Sequence, residues 1–213
     1  MFLLIPMSIG SAGIAFNISA SKPDQDAINK LTEEIATNPD DPVLYNKRGI
    51  TYLKSRGTMG FFQSNYDVLA MSDFTKAIEL NPDYAVAYIN RGVAIMSRVD
   101  YNAGGKTPEA EKKAIEDYSQ AIKIDPTHAI AYTNRSITYN IQKLYDLSLV
   151  DSTKAIELDP KDVNSYFSKA YALKRKHQNK EAIEVLRVLR STSPSPLYYA
   201  KAGDWIRELG GTP

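Results

Sequence analysis

The chain contains no cysteine, two histidines and one tryptophan among its 213 residues. Without cysteine there is no disulfide framework, no thiolate nucleophile, no Cys-ligated zinc site and no lipid-modified cysteine behind a leader. His128 and His177 are too few for most His-based metal sites, and both fall where turns between helices are expected. Neither sign of charge is in excess, 26 Lys and Arg facing 25 Asp and Glu. A general nucleic-acid binder gains its affinity by neutralising phosphates, and the basic surplus for that is missing. Gly104-Gly105-Lys106-Thr107 has part of a phosphate loop, yet the first glycine of the motif is absent and no strand precedes it. It reads as a flexible turn. No nucleophile–base pair and no metal-ligand cluster occurs. The expectation is a non-enzyme with no catalytic residue, no metal and no cofactor.

Charge is also missing from the start of the chain. Phe2 to Ile18 carries no ionisable side chain, and the first cation is Lys22. This apolar run is borderline for a bilayer span, which needs about 20 residues. It reads as a secretory leader with Ile18-Ser19-Ala20 before a cut at Ser21, as an uncleaved anchor, or as an apolar start that packs on something else. The expected location is therefore exported (periplasmic, secreted or lumenal) or membrane-anchored, with a cytoplasmic protein as the alternative.

What the chain has instead is repetition. Tyr45, Tyr88, Tyr132 and Tyr166 are each followed four residues later by a small residue: Gly49, Gly92, Ser136 and Ala170. A second small residue (Ala70, Ala114, Ser148, Ala182) precedes Ala77, Ala121, Ala155 and Leu189 by seven, and each copy closes on Pro82, Pro126, Pro160 or Pro194. Tyr45, Gly49 and Tyr52 share one helix face, as do Ala70, Phe74, Ala77 and Ile78 on a second helix. Small residues at the crossing let the two helices approach closely. The prolines end the second helices, because the residue before proline is pushed out of the helical region.

Tyr132 to Tyr166 is a step of 34 residues, the two earlier steps being 43 and 44. With these positions registered, residues 42–196 resemble four tetratricopeptide repeats. The resemblance implies an all-α, right-handed superhelical solenoid of helix-turn-helix repeats with capping helices. Its expected parts are an apolar leader or anchor at 1–21 and an N-terminal capping helix at 22–41. Repeats follow at 42–84, 85–128, 129–162 and 163–196, with a C-terminal capping helix at 197–213 that includes Trp205. Repeat three has Ser152 where an aromatic is usual. Repeats one and two gain about nine and ten residues between their helices, read as a glycine loop plus one added turn on the second helix. In the first insertion Met59, Phe61 and Phe62 either contact a partner or fold back onto neighbouring helices.

One polar pattern recurs. Arg48, Arg91 and Arg135 stand at the seventh repeat position, and Asp73, Asp117 and Asp151 at the twenty-third. An Arg–Asp bridge is expected between the two helices of each of the first three repeats, and none in repeat four, where Lys169 faces Val185.

In the family the first helices line a concave, partner-binding face. Carried over position by position, that face takes Asn46, Lys47 and Ile50 from repeat one, then Ile89, Asn90 and Val93 from repeat two. Repeat three supplies Thr133, Asn134 and Ile137, and repeat four Phe167, Ser168 and Tyr171. Asn90 and Asn134 are read as amides able to bond an extended peptide. The basic clamp by which some relatives grip a C-terminal carboxylate is not matched, because Ile50 or Val93 replaces its asparagine and Ile130 or Asn164 a lysine. The implied function is a scaffold, adaptor or assembly factor holding a protein or peptide partner. The alternatives are a self-associating structural protein and an accessory subunit of a membrane-associated or secretion complex. Nucleic acid is not an expected partner; a membrane is one through residues 2–18.

Overall fold

The computed structural model describes residues 24–55, 65–98, 108–192 and 195–213. Every regular element among them is an α-helix. In order these are α1 Gln25–Thr37, α2 Pro42–Lys54, α3 Tyr66–Leu80, α4 Ala85–Ser97 and α5 Pro108–Ile124, then α6 Ala129–Ile141, α7 Tyr145–Leu158, α8 Val163–Arg175, α9 Asn179–Thr192 and α10 Pro196–Glu208. The chain divides into two compact units, Met1–Pro126 and Thr127–Pro213.

Local chemistry sets the helix ends. Asp24, Asp41 and Asp162 cap α1, α2 and α8 by accepting the backbone N–H groups of Ala27, Val43 and Asn164, which satisfies donors the helix leaves open. Pro42 and Pro196 occupy first turns, where no N–H is needed. Asn81 and Asp159, each before a proline, are extended and close α3 and α7. The expected added turn is present in α5, which starts six residues before Ala114. In α3 it is not, because that helix starts only four before Ala70, close to the three-residue lead of α7 and α9. Asn65 at the N-cap of α3 makes no side-chain capping bond.

In the first unit α2 packs on α3, α4 on α3 and α5, and α1 on α2. An ideal Cβ on Gly49 would stand 2.6 Å from the Phe74 ring, and one on Gly92 would stand 2.6 Å from the Tyr118 ring. Each glycine is thus a notch filled by an aromatic of the second helix, and both rings are buried. In the second unit α6 packs on α7 and α8, α7 on α8, α8 on α9, and α9 on α10. Here the notch is partly filled from the first helix, so the knob shrinks: Ser136 goes with Ser152, and Ala170 with Leu186, all four fully buried. This accounts for the missing aromatic at Ser152. The apolar core of the second unit runs through Tyr166, Phe167, Leu173, Leu186, Leu189, Trp205 and Ile206.

After α10, Gly210 turns left-handed at φ 85°. Gly211 N–H then bonds Ile206 O and Gly210 N–H bonds Arg207 O, the paired closure of a Schellman motif. Among the described residues no helix is long and apolar enough to cross a membrane.

Candidate protein-binding face

The first helices α2, α4 and α6 are held to their partners by one repeated device. Arg48 Nε and Nη2 each donate to Asp73 at 2.8 Å. Arg91 reaches Asp117 at 2.9 and 2.7 Å, and Arg135 reaches Asp151 at 2.7 and 2.9 Å. These are the three expected bridges, all two-pronged, the geometry in which guanidinium and carboxylate pair most strongly. Each guanidinium also lies over its repeat's tyrosine, 5.6 to 5.9 Å from the centroids of Tyr45, Tyr88 and Tyr132. A third bond joins each hairpin of the first unit to the helix before it, from Arg48 to Thr32 at 3.1 Å and from Arg91 to Thr75 at 3.4 Å. Thr32 in α1 therefore does for α2 what Thr75 in α3 does for α4. The N-terminal helix is in the position of a second helix.

The charge balance inside these pairs differs with depth. Hydrogen bonding to their aspartates raises Arg48 and Arg91 above the usual guanidinium range. Burial pulls Arg135 down, but the bond and charge of Asp151 carry it above that range. Burial also lifts the Asp117 carboxyl, against the opposing pull of Arg91. Removing these charges from water is the larger effect for Asp117.

The twelve residues expected on the face divide by depth. Lys47 is exposed, and Ile50, Ile137 and Tyr171 are half-buried. Ile89, Val93 and Phe167 are buried. The buried polar members are mostly committed inside the protein. Asn90 Nδ2 donates to Asn46 Oδ1 at 2.9 Å, and Asn46 Nδ2 donates to the Tyr84 hydroxyl at 3.3 Å. Thr133 donates to Asp162 Oδ2 at 2.6 Å, and the Ser168 hydroxyl accepts from Asn140 at 2.9 Å. The Asn90 donor read as open to a peptide is thus spent on Asn46. Asn134 differs: its Nδ2 is buried and has no hydrogen-bond partner. Tyr84 and Asp162 were missed in the sequence because each stands at a helix N-cap of the following repeat, 38 and 29 residues from its partner. Met59, Phe61 and Phe62 lie outside the described residues. Among the described residues no group of His, Asp and Glu is placed to hold a metal ion.

The family model described as "Tetratricopeptide repeat" matches residues 153–184. The helix pairs have the fold of tetratricopeptide repeats. Solved structures of such proteins match at fold level. TTC0263, a thermophilic tetratricopeptide protein of Thermus thermophilus, is 14% identical over 84% of this chain and 89% of its own, with a TM-score of 0.66. MamA (41-end) of Desulfovibrio magneticus RS-1 is 18% identical over 86% of each chain, with a TM-score of 0.60. YrrB, described as a tetratricopeptide protein with an unusual peptide-binding site, is 18% identical over 84% of this chain and 82% of its own, with a TM-score of 0.59. No curated protein matches in sequence.

Proposed function

We propose that the chain is a non-catalytic scaffold whose first helices hold a segment of a partner protein. The observation that supports this most is the contrast in accessibility on those helices. In the first unit a buried layer of Asn46, Ile89, Asn90 and Val93 lies beside the reachable Lys47 and Ile50 on α2, and in the second a buried layer of Thr133, Asn134, Phe167 and Ser168 lies beside the reachable Ile137 on α6 and Tyr171 on α8. A floor that is already hydrogen-bonded is rigid, and a rigid surface binds without a large ordering cost. Aliphatic and aromatic edges with one cation suit a segment of modest charge. The role is that of an adaptor or assembly factor, set beside or beyond a membrane by residues 2–18.

A pull-down from the native cell, with partners identified by mass spectrometry, tests this reading. Ile137→Arg/Tyr171→Arg should lose the partner while circular dichroism stays unchanged. Equal recovery with wild type would sink the assignment of the face. N-terminal sequencing of the native protein tests the location: a start at Ser21 means export, and an intact Met1 in the membrane fraction means anchoring.

A further inference from the structure

Charge that nearly balances over the whole chain is unevenly spread. In Thr127–Pro213, 13 Lys and Arg face nine Asp and Glu. From Val163 to Lys180 there are five cations and no acid. Three of the five, Arg175, Lys176 and Lys180, stand exposed around the turn between α8 and α9. Two bonds tie this turn to the first turn of α7. Arg175 Nε donates to the Tyr145 hydroxyl at 3.1 Å, and Lys176 pairs with Asp146. Lys143, exposed in the turn just before α7, therefore belongs to the same edge. Asp146 is neutralised by Lys176, whereas Arg175 is bonded to a neutral hydroxyl and keeps its charge.

Hydrocarbon is exposed among these cations. Leu144 and Leu147 are 44% and 47% exposed, and Val150, one turn on, is 67% exposed. At the matching positions of α9, counted from Ala182 as these are from Ser148, stand Gln178, Glu181 and Glu184. One second helix thus meets water with polar groups where the other shows leucine and valine. The inner side of α7 is the reverse, with Ser148, Asp151 and Ser152 buried. A clustered apolar surface on the outside of a helix marks a contact that covers it.

We propose that this edge of the second unit docks on an anionic lipid surface. Lys143, Arg175 and Lys180 meet the headgroups while Leu144 and Leu147 enter the boundary with the acyl chains. Electrostatic attraction and buried apolar area together hold peripheral proteins on bilayers. An acidic polypeptide would answer the cations and leave the leucines wet, and an apolar partner would strand the cations. The contact is separate from the proposed face on the first helices and from residues 2–18, and depends on neither.

The absence of cysteine makes a site-specific test possible in the full chain. Val150→Cys, labelled with an environment-sensitive fluorophore, reports contact at this edge however residues 2–18 behave. Ser191→Cys, exposed in the last turn of α9, is the control. With vesicles of phosphatidylcholine and phosphatidylserine, emission from the Val150 label should rise about twofold and shift to the blue. Phosphatidylcholine alone should leave it unchanged, and added salt should reverse it. Lys143→Glu/Lys180→Glu and, separately, Leu144→Ser/Leu147→Ser should each raise the lipid concentration at half-signal about fivefold or more. The proposal is overturned by a silent Val150 label, by an equal response to neutral vesicles or at Ser191, or by both double variants responding as the parent does. A stronger response to poly-glutamate than to the vesicles would give the surface to an acidic protein and overturn the lipid assignment.

Discussion

The Phe74 ring occupies the space that a Cβ on Gly49 would need, its Cε1 lying 2.6 Å from that position. Both residues are buried, so neither can move aside into solvent. Gly49→Ala should therefore destabilise the protein by about 1–3 kcal/mol through overpacking, although alanine is the better helix former. Adding Phe74→Leu, after the Ala170 and Leu186 pair of repeat four, should restore part of the loss. Chemical denaturation of the two single variants and the double variant checks this. Simple additivity of the two single effects would show that no notch is involved.

The Arg91–Asp117 pair gives a second expectation. Its side chains are 24% and 9% exposed, so little water can replace a lost partner. Asp117→Ala should cost about 3 kcal/mol, because the guanidinium stays behind uncompensated. Replacing both members, as Arg91→Met/Asp117→Leu, should cost far less. An unchanged melting temperature in Asp117→Ala would mean that the pair does not hold the hairpin.

Titration of the same carboxyl gives a third. Burial raises Asp117 above its ordinary 3.8, so the folded chain keeps this proton to a higher pH than the unfolded chain. The group's contribution to stability is then greatest below the ordinary value and is lost as pH rises through the raised one. Compared with Asp117→Asn, which cannot titrate, the wild type should lose stability as pH rises from below the ordinary carboxylate value through the raised one, and then run parallel. Urea unfolding of both proteins across that range measures the difference. A wild type that gains on the variant instead would reverse the sign.

Two turn residues supply a fourth. Lys143 and His177 have left-handed backbones, φ 62° and 61°, a conformation that costs a side-chain-bearing residue about 1–2 kcal/mol. Glycine at either site should stabilise by about 0.5–1 kcal/mol after its own entropy is counted. The opposite change, Gly210→Ala at φ 85°, should destabilise by about 1 kcal/mol. Thermal melts of the three variants test the set.

Much of the fold was legible because its signals are periodic. Tyrosine, small residue and proline recur in register in four copies and aspartate in three, which over-determines the pairing of helices. The Arg–Asp bridges could be read for the same reason, since both partners sit at fixed positions of one repeat. Depth was not legible. A position number says which way Asn46 or Thr133 points, but whether it is reachable depends on Tyr84 and Asp162, which belong to the next repeat's turn. Tyr199, which stands in α10 where Tyr45, Tyr88, Tyr132 and Tyr166 stand in their helices, escaped because it follows Tyr166 by 33 residues rather than 34.

The graded sizes at the hairpin crossings also bear on how the chain avoids assembling wrongly. Were α3 to close on α6, the benzyl group of Phe74 would collide with Ser136; were α7 to close on α2, Ser152 would leave a ring-sized void beside Gly49. Either exchange forfeits dispersion contacts or forces strain. Near-identical segments in one polypeptide invite such swaps, and unequal volumes at a single contact let each helix accept its own neighbour and turn the others away.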